Sequence, residues 1–161
     1  MKRTLITYAV LSLLSVPAFT LAETASEHSG HNMMEHQGAM PTMNTQTIML
    51  GDEQTVEGVK GMAHIKDVGA MMAKNGKKEN YHFMMMFSDA KTGAPINEGT
   101  VAVKIVDPKT GQAGAAIPLM GMSGHFGADV TLPTKGDYQF QVGSKLADGT
   151  KRQFTFKYSY K

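Results

Sequence analysis

The chain contains no cysteine in 161 residues. That absence excludes disulfide bonds, thiolate-ligated blue copper, haem attached through cysteine, iron–sulfur clusters and cysteine nucleophiles. Also missing are a Ser/His/Asp spacing, a zinc-protease motif, a P-loop and a dinucleotide-binding fingerprint, so the chain indicates no enzymatic activity. Asp129 and Asp137 read as surface and turn residues. Net charge is small: 16 Lys+Arg stand against 14 Asp+Glu, and two of the basic residues are Lys2 and Arg3. Without that pair the balance is 14 against 14, and no basic, aromatic-studded face remains for nucleic acid.

An apolar run over residues 5–14 follows Lys2 and Arg3, and Val16-Pro17-Ala18 then leads to Thr20-Leu21-Ala22. A charged start, a short apolar stretch and small residues at −3 and −1 define a secretory signal peptide, too short for a membrane span. Residues 1–22 are therefore expected to be removed before Glu23, leaving a periplasmic protein with no membrane insertion. Residues 23–45 carry no Lys, Arg, aromatic or β-branched apolar side chain. Such a segment cannot bury enough surface to fold alone, and a disordered tail is expected. It nevertheless holds His28, His31, His36, Met33, Met34, Met40 and Met43 among Glu27 and Glu35. His-rich tracts of this composition bind metal, and exposed thioethers are otherwise an oxidation liability. The tail reads as a loose metal-capture segment.

From Gln46 onward, short alternating segments are separated by turn signals. Residues 46–161, about 115 of them, suffice for one hydrophobic core and not for two domains. Strands are expected at 47–50, at 55–66 with glycines 58 and 61 marking a bulge or bend, and at 81–87. Further strands are expected at 100–106, 115–120 and 125–132, then around Tyr138, Phe140 and Val142, and around Phe154, Phe156 and Tyr158. Residues 67–78 read as a loop. The pattern predicts an all-β, immunoglobulin-like antiparallel β-sandwich of seven to eight strands. Pro133-Thr134-Lys135-Gly136-Asp137-Tyr138 resembles the tyrosine corner of that fold.

The most informative stretch is Tyr81-His82-Phe83-Met84-Met85-Met86-Phe87. With period two, Tyr81, Phe83, Met85 and Phe87 form a core stripe, and His82, Met84 and Met86 share the opposite face. Residues i and i+2 are about 6.6–6.8 Å apart along a strand, a gap that flexible Met side chains can close onto one ion. Thioethers are soft donors that suit Cu(I), and imidazole also suits copper. In the preceding strand Val59, Ala63 and Ile65 alternate with Met62 and His64. Antiparallel pairing of the two strands, core stripe to core stripe, places Met62 and His64 on the face of His82, Met84 and Met86. Cross-strand partners sit about 4.5–5.5 Å apart. A third cluster, Met120, Met122 and His125, lies in a glycine-rich bend and forms a nearby or second site. The expected ion is Cu(I), with Ag(I) as its surrogate.

Met122-Ser123-Gly124-His125-Phe126-Gly127-Ala128-Asp129-Val130-Thr131-Leu132-Pro133, followed by Gly136-Asp137-Tyr138-Gln139-Phe140, resembles the C-terminal half of YtkA-like domains. These are small exported immunoglobulin-like sandwiches, and related domains accompany copper handling. In general layout the chain also resembles periplasmic copper-resistance carriers with Met/His sites on a β-sandwich. Unlike those that hold Cu(II) through an N-terminal His, it would begin Glu23-Thr24-Ala25. The resemblance implies copper or silver binding without enzymatic activity. Beyond the metal ion itself, a copper efflux pump or a copper-requiring membrane protein is the kind of partner such a carrier would have, and whether the ion is passed on stays open. Two other readings fit the same residues: a Met-rich face that docks a partner protein, and scavenging of Zn(II) or Ni(II) by the histidines.

Overall fold

A computed structural model describes residues 46–161. The expected signal peptide over 1–22 and the tail donors His28, His31, Met33, Met34, His36, Met40 and Met43 lie outside the described residues. The strands are Thr47–Met49 (β1), Gln54–Val56 (β2), Val59–Asp67 (β3), Tyr81–Asp89 (β4), Gly99–Val106 (β5), Ile117–Met122 (β6), His125–Val130 (β7), Gly136–Leu146 (β8) and Lys151–Tyr160 (β9). One short helix, Gly69–Lys74 (α1), follows β3. Every strand pairing is antiparallel, in the order β1-β3-β4-β7-β6-β5-β8-β9, with β2 added to β3. This is the expected antiparallel sandwich, with nine strands in place of seven or eight.

The extra strand comes from a correction at residues 55–66, which are two strands and not one bent strand. Val56 pairs with Val59 across Glu57 and Gly58, whose φ angles are 44° and 76°. Two successive positive φ values make the tight turn whose twist matches a hairpin. Gly58 thus reverses the chain, whereas Gly61 serves packing: a Cβ there would lie 2.6 Å from Met85 Cε and 2.9 Å from the Phe154 ring. The loop expected at 67–78 is also corrected, since it contains α1. Asp67 Oδ1 accepts the Gly69 N–H at 2.9 Å, and the helix turns Met72 inward while Met71 stays exposed.

The sandwich closes because β6 changes partner along its length. Residues 117–119 pair with β5, and residues 120–122 pair with β7. Inward residues of both sheets form one core. Phe83 of β4 stacks on Phe140 of β8 with ring centroids 5.0 Å apart, and Phe87 lies 5.5 Å from Phe154 of β9. Each such buried apolar side chain contributes about 1.5–3 kcal/mol. Tyr138 donates its hydroxyl to the Thr134 carbonyl at 2.7 Å, and the tyrosine corner is formed. Asn80 fixes β4 beside β7: its amide nitrogen donates to the Leu132 carbonyl and its side-chain oxygen accepts the Leu132 N–H, both at 2.9 Å.

Candidate metal centre

Period two and the β4–β7 neighbourhood together decide which side chains share the outer face of the first sheet. β3 pairs with β4 so that Met62 opposes Met86, His64 opposes Met84 and Lys66 opposes His82. The core stripes face the same interior: Ala63, Ile65, Phe83 and Met85 are buried. The outward positions therefore carry Met62, His64, His82, Met84 and Met86 on one face, as the spacing predicts. β7 then lies on the other side of β4, with Asp129 opposite His82 and Gly127 opposite Met84. β6 adds Met120 opposite Gly127 and Met122 opposite His125.

Three rows of side chains consequently cross the sheet. The first runs Thr47, Lys66, His82, Asp129. The second runs Met49, His64, Met84, Gly127, Met120. The third holds Met62 beside Met86 and, one step past the end of the β4–β7 ladder, His125 beside Met122. The sequence reading separated Met120, Met122 and His125 as a cluster in a bend. In the structure Met120 and Met122 stand in β6, the turn is confined to Ser123 and Gly124, and the cluster is continuous with the rest. All three histidines among the described residues stand on this face.

The three imidazoles differ in their surroundings. His82 Nδ1 lies 2.8 Å from Asp129 Oδ1. An ionised carboxylate only accepts, so Nδ1 carries a proton, and in the neutral tautomer that this contact selects the free lone pair is on Nε2. A carboxylate behind an imidazole is the usual arrangement that orients a metal-ligating histidine. His125 packs edge-on to His82, with ring centroids 6.0 Å apart and planes at 89°. Its Nε2 is buried without a hydrogen-bond partner, and so is His64 Nδ1. Burial lowers the pKa of His64 below the ordinary 6.5, which favours the neutral form that ligates metal.

Buried polar atoms normally find partners, and two orphaned imidazole nitrogens among thioethers fit a face that receives a soft cation. Any ion held on this face would need the thioethers, because no three His, Asp or Glu side chains among the described residues are grouped to hold one by themselves. Met120, Met49 and Met122 are 68%, 49% and 44% exposed, so their sulfurs are accessible to an ion arriving from solvent. Three members of this face were missed from the sequence. Met49 alternates with the buried Leu50, but its place opposite His64 depends on β1 pairing with β3. Gly127 reads as any strand glycine until its neighbours are known. Asp129 is not merely a surface residue: it is the hydrogen-bond partner of His82.

No protein-family profile and no characterised protein sequence matches the chain. Solved structures do. A copper-bound variant of FetP from uropathogenic Escherichia coli superposes with a TM-score of 0.58 at 14% identity, covering 71% of this chain and 97% of that one. The copper-reconstituted P19 protein from Campylobacter jejuni gives 0.57 at 16% identity, covering 71% and 96%. FetP as isolated gives 0.55 at 16% identity, covering 71% and 97%. At such identities the likeness establishes a shared fold, and the chain has the antiparallel β-sandwich of these proteins.

Proposed function

We propose that this chain is an exported soft-metal-binding protein. It takes up copper as Cu(I), with Ag(I) as surrogate, and serves copper sequestration, tolerance or delivery without catalysing a reaction. The observation that carries this reading is the convergence of His64, His82, His125, Met62, Met84, Met86, Met120 and Met122 on one face of the sandwich. Thioether donors favour Cu(I) and Ag(I) over Zn(II) and Ni(II). Support also comes from the copper held by the FetP and P19 structures and from the resemblance to YtkA-like domains. The donors of residues 28–43 add a second capture element on the same chain. Export to a periplasm, and hand-over to a copper efflux pump or a copper-requiring membrane protein, belong to the same proposal.

The exposure of Met49, Met120 and Met122 also suits a face that docks a partner protein. A docking face, however, has no use for imidazole nitrogens buried without partners. A competition titration separates the readings. The protein should bind Ag(I), and Zn(II) in large excess should not displace it. Displacement by Zn(II) would favour a histidine-based scavenger, and failure to bind either ion would leave the docking face.

A further inference from the structure

Gly127 occupies an outward position in the middle of a strand, yet it is buried, because the His82 ring folds over it. A Cβ on Gly127 would meet His82 Nε2 at 2.8 Å, His82 Cε1 at 3.1 Å and His125 Cδ2 at 3.3 Å. Gly127 is not among the glycines with positive φ. The residue is therefore glycine for space and not for conformation. Glycine weakens a strand interior, and it stands there where something must approach closely. The two rings close on this residue: His82 with Nε2 itself, and His125 with Cδ2, one of the two carbons bonded to its orphaned Nε2. Met84 and Met120 flank the same residue, one from each neighbouring strand.

We infer that the ion's seat lies over Gly127 where the two rings meet, with His82 and His125 as its imidazole donors and Met84 and Met120 as its thioethers. Asp129 is the positioning residue that keeps the His82 Nε2 lone pair turned toward the seat. The inference rests on the soft-metal reading above and narrows it. Two neutral imidazoles and two thioethers suit a soft monovalent cation, Cu(I) or Ag(I). Met62 and Met86 lie in the next row and are outside the seat.

The test is an Ag(I) titration of the full chain, labelled with ¹³C at the methionine methyls and ¹⁵N at the histidines. Residue-resolved signals keep the tail donors separate from those of the face. At less than one equivalent, the Met84 and Met120 methyls and the Nε2 atoms of His82 and His125 should shift together, ahead of Met62 and Met86. Gly127→Ala should move the His82 ring off its carboxylate and weaken Ag(I) binding at this site at least tenfold, with the thermal midpoint nearly unchanged. Asp129→Asn should weaken it about 10–100-fold and redistribute the His82 tautomers, with partial rescue by Asp129→Glu. If Met62 and Met86 respond first, or both variants bind as the parent does, the seat is elsewhere on the face and the soft-metal reading survives. If no methyl of the face responds to Ag(I), both readings fail. Should Gly127→Ala not fold, the order of shifts in the parent and the Asp129 variants still decide.

Discussion

The two outer faces of this sandwich follow one rule and differ in what they carry. On β5, β8 and β9 the outward residues include Lys104, Gln139, Gln141, Lys145, Gln153, Thr155 and Lys157, with no histidine and no methionine. That is what solvent ordinarily selects on an antiparallel sheet with one face covered. On β3, β4, β6 and β7 the same alternation sets out His64, His82, His125, Met62, Met84, Met86, Met120 and Met122. Both faces are backed by one shared core, so backbone architecture does not distinguish them. The distinction is one of chemistry. A half-exposed thioether forgoes burial worth about 1.5–3 kcal/mol, and its repetition on one face alone is what the proposed metal role accounts for.

The shared core offers the largest perturbation, because it holds up both faces. Phe83→Ala removes one ring of the stacked pair with Phe140 and should cost about 3–5 kcal/mol, read by urea denaturation. Both faces should then be lost in one cooperative transition. A loss under about 1 kcal/mol would mean that this pair does not tie the sheets together.

Next come substitutions that separate the faces without disturbing the core. Replacing Met84 and Met86 together by Leu should lower Ag(I) affinity at least tenfold, about 1.4 kcal/mol, with little change in stability. Met85→Leu, on the inner side of the same strand, should leave binding intact and cost less than about 1.5 kcal/mol of stability. Lys104→Ala, on the second sheet, should alter neither. If Met85→Leu abolished binding while the outer pair did not, the assignment of faces would be reversed.

Acid titration gives the smallest contrast, since the second outer face carries no imidazole. The His64 pKa lies below its ordinary 6.5 through burial, so the unfolded chain takes up a proton more readily than the folded one. Its contribution to stability is therefore complete above the unfolded value, about 6.5, and is lost as pH falls through the lower folded value. Urea midpoints at about pH 7.5 and pH 5 should differ less for His64→Gln than for the parent. An unchanged slope would mean that burial of this ring has no bearing on acid stability.

Period two made much of this molecule legible from its residues. Tyr81, Phe83, Met85 and Phe87 face the core, and His82, Met84 and Met86 do not, because successive side chains of any strand point to opposite sides. That neighbouring strands β3 and β4 turn their core stripes to the same interior could be read as well, since a slip of one residue would send one stripe outward. The register itself could not, because a slip of two keeps both stripes inward. The hairpin at Glu57 and Gly58 was hidden, because Glu at φ 44° is held there by its surroundings. One such constraint is the Arg152 guanidinium, which donates to the Glu57 carbonyl at 3.1 Å. Helix α1 was hidden as well, since six residues are too few to display a period.

Alternation, and with it the choice of donors for the outer face, was thus determined by the sequence, because the direction of a side chain in a strand is a local property. Only the tertiary structure decided which donors meet. β7 comes to lie beside β4 although β5 and β6 intervene in the chain, and that long-range pairing sets Asp129 behind His82 and Gly127 beneath the two imidazoles. Such a pairing is selected by closure of the whole core, with β6 shared between the sheets and Asn80 clamped to Leu132, and no local pattern in the residues contains it.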